Sequence, residues 1–252
     1  MSDLLYFHSS VCIPRQQEVL FYLRVVREKL YPLFQNIDEE VDKEMVGVEE
    51  KLCQHFNPET GDPSNFYEIL NDKRIDFGLS LCEMNGYIAL LAIAGLYHLW
   101  ERKVIEFLFR EIAHRWNRQG FKINTFDDIK HNFLDYGIDI EKLSFYPDLN
   151  ELRLVANVIK HGDGNSLDEL KNINAKILTD TGGLGEIHTG TWTISGVDLY
   201  PAQERLDRYG DAVSQFWDHS QWVASGGEHR HRVRPPSKRS FKKIPTTKIS
   251  TP

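Results

Sequence analysis

The sequence predicts a mainly α fold: a helical bundle that carries a small β-hairpin appendage and a disordered, basic C-terminal tail. Apolar residues recur at helical spacing through most of the chain, whereas alternating β-branched and aromatic residues are confined to one glycine-rich segment, residues 182–200. Of the 252 residues, 41% are hydrophobic and 27% are charged, the ordinary balance of a soluble globular protein. Composition alone therefore indicates no particular function.

The formal net charge of −7 is unevenly distributed along the chain. Residues 226–252 contain eight lysines and arginines against one glutamate, a charge of +7, which leaves −14 for the residues before them. An acidic body is a poor general platform for nucleic acid, whereas a basic tail can contact a phosphate backbone or an acidic surface. The glycine, proline, serine and threonine content from residue 225 onward predicts disorder.

Cysteine usage and hydropathy predict a cytoplasmic protein with no membrane association. Cys12, Cys53 and Cys82 are widely spaced and form no Cys-x-x-Cys pair, which is typical of reduced, packed thiols. The most apolar segment, residues 86–100, is shorter than the roughly 20 residues that cross a bilayer, so it is predicted to be a core helix. The N-terminal residues have none of the features of a signal peptide.

Residues 1–62 are predicted to form an N-terminal pair of helices. Pro14 suits the first turn of a helix, and apolar residues at helical spacing follow it as far as Pro32. Asp38 is the predicted N-cap of a second helix, which has a narrow apolar stripe on an acidic surface.

Residues 63–178 are predicted to form the helical core of the protein. Hydrophobicity is nearly continuous over residues 66–116, and we expect two helices there, broken near Asn85 and Gly86, with Gly120 ending the second. Short helices and turns follow, and they lead to the most informative helix of the chain.

Residues 179–224 are predicted to form the β-hairpin and a final helix, and residues 225–252 the disordered tail. Before them, Ser166 and Glu169 have the spacing of a capping box, which predicts that a short helix begins at Ser166.

The stretch "ELRLVANVIKHGDGNS", residues 151–166, contains four polar side chains that fall on one stripe of a helix: Arg153, Asn157, Lys160 and His161. Apolar residues flank this stripe on both sides, which favours a buried or interfacial position. Asn157 and His161 are one turn apart, about 6 Å along the axis, whereas Arg153 and His161 are about 12 Å apart. One small substrate group can therefore meet Asn157, Lys160 and His161 at once. Arg153 can join them only by reaching along the helix or through a second copy of the helix.

A purely structural interpretation of the same helix is also open. Basic side chains in a last turn complement the negative end of the helix dipole, and the glycine that follows them, Gly162, suits a left-handed cap. Asn157 would then satisfy a neighbouring backbone group.

This helix resembles the C-terminal signature helix of HEPN domains, which are compact all-helical bundles found in many bacterial defence and toxin systems. Their signature is an arginine followed, after four to six residues, by a histidine near the helix end, often with a polar residue between. Arg153, Asn157 and His161 follow this order, with seven residues between arginine and histidine, and Lys160 and Gly162 complete the helix end. The upstream "YHLWERKVIEFL" is similar to the helix that such a signature packs against, so the resemblance covers about residues 80–178.

The resemblance implies a metal-independent endoribonuclease of the HEPN type, without a cofactor, that acts in bacterial defence or as a toxin. It implies an RNA substrate, a homodimer in which two signature helices meet, and a setting in which a regulatory protein partner fits. His161 would be the acid or base, Arg153 and Lys160 would stabilise developing charge, and Asn157 would orient the phosphate or the histidine. The alternative is a non-catalytic HEPN-like dimerisation or partner-binding module of a defence system, because some members of the family are not nucleases.

Two weaker motifs compete with this interpretation. "ANVIKH", with Asn157, also resembles the magnesium-binding helix of sensor-kinase ATP-binding domains, and "DTGGLG" from Asp180 resembles their next motif. Only 22 residues lie between Asn157 and Asp180, which argues against this interpretation. "EHRHRVR", residues 228–234, has residues that bind metal or phosphate, but in a basic tail it is more simply a solvated charged segment.

A third motif, Glu111-x-x-His114, matches half of a carboxylate-bridged di-iron site. No second such unit appears in a suitable helix. His98 and Glu101 precede it on the same predicted helix, and a core helix with polar residues explains all four more simply than a metal site.

Overall fold

The structure is a computed structural model whose described residues form seven α-helices, six of which contribute to one apolar core, and it confirms the predicted mainly α class. It describes residues 5–57, 59, 61–114, 122–162, 164–178, 191–192, 198–199, 203–220 and 222. The helices in these ranges are α1 (Ser9–Val25), α2 (Ile37–His55), α3 (Pro63–Leu108), α4 (Phe126–Asp135), α5 (Tyr146–His161), α6 (Asn165–Asn174) and α7 (Gln203–Phe216).

Three α-helices continue directly into segments with a different hydrogen-bond spacing. α1 is followed by a π-helical segment and then a 3-10 helix, α3 by a π-helical segment, and α6 by a 3-10 helix; a further 3-10 helix lies between α4 and α5. In chain order these five segments are Val26–Leu30, Tyr31–Phe34, Phe109–His114, Ile140–Lys142 and Ala175–Leu178.

α3 is one unbroken helix, so the predicted break near Asn85 and Gly86 is wrong. Its 46 residues correspond to a length of about 69 Å. A glycine costs a helix interior only about 1 kcal/mol relative to alanine, which the packing on both halves offsets. α2 packs along the N-terminal half, where Val41 and Met45 are its buried residues, and the core surrounds the C-terminal half.

The starts of three helices differ from their sequence-based assignments. α1 begins before Pro14, and the ring of His8 accepts a hydrogen bond from the backbone of Ser10. Asn36, rather than Asp38, occupies the N-cap of α2, where no side-chain cap bond forms. The predicted capping box of Ser166 is also wrong, since α6 begins at Asn165 after Gly164. The observed N-caps lie six residues before Pro14 and two residues before Asp38 and Ser166.

α4 has the capping box that α6 lacks. The hydroxyl of Thr125 accepts the backbone N–H of Asp128 at 3.1 Å, and the Asp128 carboxylate accepts the backbone N–H of Thr125 at 3.0 Å. This reciprocal pair fixes the direction in which the chain enters α4.

The buried core combines α1, the C-terminal half of α3, and α4 to α7. Aromatic residues dominate it, and ring contacts around Phe216 join α3, α4 and α7. The predicted division of the chain at residues 62, 178 and 224 stays a prediction, although the core draws residues from three of these segments. The largest fully buried side chains include Trp100, Phe107, Phe133, Phe145, Tyr209, Phe216 and Trp217.

Two glycines allow α1 to approach its neighbours closely. A methyl group on Gly95 of α3 would overlap the hydroxyl of Tyr22, which donates a 2.7 Å hydrogen bond to the carbonyl of Ala92. A methyl group on Gly210 of α7 would overlap the buried side chain of Leu23. Both contacts require the absence of a side chain.

The predicted hairpin and tail lie largely outside the described residues. Thr191–Trp192 and Asp198–Leu199 pair antiparallel as β1 and β2, with Thr191 opposite Leu199. The rest of the predicted hairpin, Gly120, and the tail with residues 228–234 are not among the described residues.

Within the described ranges, one helical segment, Pro63–Ile112, is long and apolar enough to span a bilayer by length and composition. Its most apolar window has a mean hydropathy of 1.5, and 33% of that window is buried. The core helix of a soluble protein passes the same test, and the cytoplasmic location stays a prediction.

Candidate functional site

α5 is a core helix with polar side chains on two opposite faces. Six of its apolar residues are fully buried between α3, α6 and α7, as the spacing of the sequence predicts, whereas Ile159, predicted on the same core face, is half-buried. The predicted polar stripe is not buried in the same way, because its first members are half-buried and its last members are exposed. The buried apolar residues are Leu149, Leu152, Leu154, Val155, Ala156 and Val158.

The stripe forms one wall of an open pocket of about 380 Å³. α3 and the start of α4 supply the rest of the lining. Three of the four predicted site residues line the pocket, together with residues 97–101 and 124–127, which are distant in the sequence. The lining residues are Tyr97, His98, Glu101, Asn124, Thr125, Phe126, Asp127, Arg153, Asn157 and Lys160.

Arg153 is the most firmly held of the predicted site residues. Its Nε donates to Asn150 Oδ1 at 3.0 Å, and a terminal nitrogen donates to Glu169 Oε2 at 3.0 Å. Its guanidinium carbon lies 5.0 Å from the ring centre of Phe126, so the cation also stacks on an aromatic floor. With 17% of its side chain exposed, Arg153 supplies a fixed positive charge beneath the pocket.

Asn157 lies one turn further along α5 and contacts α6. Its Nδ2 donates a 3.4 Å hydrogen bond to the hydroxyl of Ser166, and the residue also lines the pocket. Ser166 and Glu169, expected to cap α6, are therefore the two residues that hold Asn157 and Arg153. Because α6 begins directly after Gly164, these two side chains do not cap it and are free to bond to α5.

Lys160 is exposed at the mouth of the pocket. Among the described residues it has neither a hydrogen-bond partner nor an ion pair, whereas every other charged side chain of the lining has one. Lys160 is thus the charged group of the pocket that is available to an incoming anion.

His161 is the predicted site residue that the structure does not bring to the pocket. It is exposed in the last turn of α5 and is not among the lining residues. Gly162 follows with a φ of 70°, and its N–H donates to the carbonyl of Val158 at 2.8 Å. This positive φ fits the structural interpretation of the helix end, which explains His161 and Gly162 but not the side chains inside the pocket.

A histidine that the sequence analysis assigned to an ordinary core helix lines the same pocket from α3. His98 Nδ1 lies 3.5 Å from Glu101 Oε2, and the hydroxyl of Tyr97 donates to Glu101 Oε1 at 2.9 Å. Half of the His98 side chain is exposed, and burial, reinforced by Glu101, raises the pKa of Tyr97 well above its usual range. The i, i+3 spacing of His98 and Glu101 was visible in the sequence, but the position of His98 in a pocket shared with α5 was not.

The carboxylates of α4 and its surroundings, of which Asp127 lines the pocket, are already paired. Lys130 lies 2.9 Å from Asp127 and 2.9 Å from Glu141, and the hydrogen bond from Lys130 lowers the pKa of both carboxyl groups. Backbone N–H groups of Asn124 and Thr125 together with the Thr125 hydroxyl lower the pKa of Asp128. These carboxylates are engaged with α4 and its neighbours, so they do not neutralise Lys160.

α5 has a second polar face, which the sequence analysis missed. Glu151 is the buried charged residue of the described core, with its side chain 9% exposed. Tyr209 and Asn174 donate to its Oε1 at 2.6 Å and 3.0 Å, and Arg208 also donates to that oxygen. Arg205 lies 3.8 Å away. This network joins α5, α6 and α7. Its one signal in the sequence is a charged residue, Glu151, among the apolar residues of α5.

The weaker motifs gain no support from the geometry. Among residues with described side chains, no three or more His, Cys, Asp or Glu groups cluster to hold a metal ion, and the side chain of His114 is outside them. α6 fills the interval after Asn157, and Asp180 is outside the described residues. The three cysteines are free; Cys12 is buried, which raises its pKa to about 11, but Cys53 is exposed rather than packed.

Comparisons with known proteins give no match. No protein-family model matches the chain, and neither the curated proteins nor the solved structures yield a similar protein. Its function therefore has to be argued from the pocket itself.

Proposed function

We propose that the protein is a metal-independent endoribonuclease of the HEPN type and that the pocket between α3 and α5 binds the RNA phosphate. The observation that carries this proposal is Lys160, an exposed cation without a described partner, beside Asn157 and the fixed charge of Arg153. A phosphodiester needs cations and hydrogen-bond donors that are already in position, because desolvating and ordering them during the reaction would raise the barrier. The defence or toxin setting comes with the HEPN resemblance and is part of the same proposal.

The chemistry that fits these groups is attack by the neighbouring 2′-hydroxyl of RNA. A base removes the 2′-proton, the 2′-oxygen forms a bond to phosphorus, and the bond from phosphorus to the 5′-oxygen breaks. The bonding electron pair stays on the 5′-oxygen, which takes up a proton, so the products are a 2′,3′-cyclic phosphate and a 5′-hydroxyl. No redox partner or metal ion is required, and the cations stabilise the negative charge that builds up on the phosphoryl oxygens.

The described contacts support different tasks for the two cations. Arg153 is held by Asn150, Glu169 and Phe126, so it contributes a constant positive potential. Lys160 is unrestrained and can follow the phosphate as its charge develops. Asn157 is hydrogen-bonded to Ser166 and presents a fixed amide to orient the substrate.

The test is cleavage of a labelled single-stranded RNA and of a tRNA by the full-length protein in EDTA. We expect fragments with 2′,3′-cyclic phosphate and 5′-hydroxyl ends, and no cleavage of the same RNA with 2′-O-methyl groups. Lys160→Ala should lower the rate about 100-fold, the effect of removing one charge-stabilising donor. Lys171→Ala, a matched change of an exposed α6 lysine outside the pocket, should have no effect. Absence of cleavage, or loss of it in EDTA, would contradict the proposal.

The second candidate is a non-catalytic dimerisation module, and an apolar surface on α3 favours it. Met84, Tyr87 and Leu91 are 50%, 41% and 63% exposed and lie on one face of the helix at coiled-coil-like spacing, leading towards His98. A second copy of the same helix would cover this surface. Dimers that are disrupted by Leu91→Glu, from a protein that cuts no RNA, would favour this function over the nuclease.

A further inference from the structure

We propose that His98, held by Glu101, is the general base of the pocket and that His161 is not. This inference rests on the proposed ribonuclease function and identifies the residue that removes the 2′-proton. It differs from the HEPN resemblance, which implies that the histidine at the end of α5 has this task.

Position distinguishes the two histidines. His98, on α3, lines the same pocket as Lys160 and Asn157 on α5, whereas His161 is not among the lining residues and is exposed in the last turn of α5. A base must come within hydrogen-bond reach of the proton that it removes. Of the two, His98 is therefore the histidine that shares a cavity with the groups proposed to hold the phosphate.

The surroundings of His98 also orient it. A carboxylate only accepts hydrogen bonds, so Glu101 favours the tautomer in which Nδ1 carries the proton and Nε2 is free to accept one. The hydroxyl of Tyr97 donates to the other oxygen of Glu101 at 2.9 Å, which fixes the carboxylate. Glu101 is thus a positioning residue, and the His98 side chain is half exposed and accessible to substrate.

Charged and titratable groups face His98 from three helices. On α3 these are Tyr97 and Glu101, on α4 Asp127, and on α5 Arg153 and Lys160. Asp127 is paired with Lys130, and Arg153 with Glu169. The charged group that pairs directly with His98 is therefore Glu101.

The reaction step can be written with a complete proton balance. His98 Nε2 takes the proton of the 2′-hydroxyl as the 2′-oxygen bonds to phosphorus. The bond to the 5′-oxygen breaks, and that oxygen takes a proton from water while Lys160 stabilises the charge on the phosphoryl oxygens. His98 then gives its proton to the hydroxide that remains, which restores the side chain.

The test compares His98→Gln with His161→Gln in single-turnover cleavage of the same RNA, since both histidines are solvent-exposed. We expect His98→Gln to lower the rate constant of the chemical step by about 100-fold to 10,000-fold, with RNA affinity changed less than about threefold. His161→Gln should retain a rate within about threefold of the wild type. The acidic limb of the pH–rate profile should disappear in His98→Gln and persist in His161→Gln.

Added imidazole separates a chemical role from a structural one. It should restore part of the activity of His98→Ala by replacing the missing base, which it cannot do for a misfolded pocket. Inactivity of His161→Gln together with full activity of His98→Gln would overturn this inference and leave the ribonuclease function intact. A wild-type protein that cuts no RNA would instead overturn the proposed function, and the inference with it.

Discussion

The two polar faces of α5 differ in how completely their groups are paired. On one face, the buried carboxylate of Glu151 is surrounded by Arg205, Arg208, Tyr209 and Asn174. On the other, pairing decreases along the helix from Arg153, with two hydrogen-bond partners, to Lys160, which has none among the described residues. Buried polar groups must be paired, so the face around Glu151, here the closed face, serves to stabilise the fold. The face with Arg153, Asn157 and Lys160, here the open face, lines a concave pocket, and a bound ligand is the better explanation of its unpaired lysine.

Breaking the closed face should have the largest effect on stability. Glu151→Ala leaves the donor groups of Arg208, Tyr209 and Asn174 without their shared acceptor, and we expect a loss of about 3–5 kcal/mol in the free energy of unfolding. Urea denaturation measures it. Glu151→Gln keeps an oxygen that Tyr209 can use and should lose less. A loss below about 1 kcal/mol for the alanine variant would mean that the network contributes little.

Helix packing can be separated from polar pairing with glycine variants. Gly95→Ala and Gly210→Ala force a methyl group against Tyr22 and Leu23, and each should cost about 1–3 kcal/mol. Gly47→Ala in α2 is the matched control, because nothing lies within 4 Å of the added carbon. It should raise the free energy of unfolding by up to about 1 kcal/mol through helix propensity. Equal effects at all three positions would contradict the close approach of α1 to α3 and α7.

Within the open face, Arg153 and Lys160 should differ in their effects on stability. Arg153→Ala removes a stacked and hydrogen-bonded side chain and should cost about 1–2 kcal/mol, a value limited by the exposure of Glu169. Lys160→Ala should change the free energy of unfolding by less than about 0.5 kcal/mol. If Lys160→Ala destabilises the protein as much as Arg153→Ala, Lys160 is a structural residue and not one reserved for a ligand.

The start of α4 should show a small, pH-dependent effect. The backbone N–H of Asn124 and the contacts of Thr125 lower the pKa of Asp128 from its ordinary 3.8, so the unfolded chain takes up the proton first. This contribution is present above the ordinary pKa and is lost as the pH falls through the lower, folded-state value. Asp128→Ala should therefore cost about 1 kcal/mol at neutral pH, as loss of a cap does, and progressively less in acid. Thermal unfolding at several pH values measures the difference.

Much of the helical architecture could be predicted from spacing alone, because apolar periodicity reports directly on the buried face of a helix. The core face of α5 and its end at Gly162 follow from the sequence in this way. The continuity of α3 through Asn85 and Gly86 could not be predicted, since tertiary packing on both sides outweighs weak local helix propensity.

The site was predictable only in part. Arg153, Asn157 and Lys160 lie on one helix, so their shared stripe follows from helical geometry. His98 is 55 residues away from Arg153 in the sequence, and only the packing of α3 against α5 brings both to one pocket. The partners of Ser166 and Glu169 likewise depend on how α6 folds back onto α5.

The central claim, that the open face of α5 binds an RNA phosphate through Lys160, can be tested by equilibrium binding. A fluorescently labelled single-stranded RNA with 2′-O-methyl groups, which cannot be cleaved by the proposed reaction, is titrated with wild type, Lys160→Ala and Lys171→Ala over a series of salt concentrations. We expect Lys160→Ala to weaken binding about tenfold and to reduce the dependence of log affinity on log salt by about 0.7, the value for one phosphate contact on a single strand. Lys171→Ala should match the wild type. Identical affinities and salt dependences for the two lysine variants would contradict the claim.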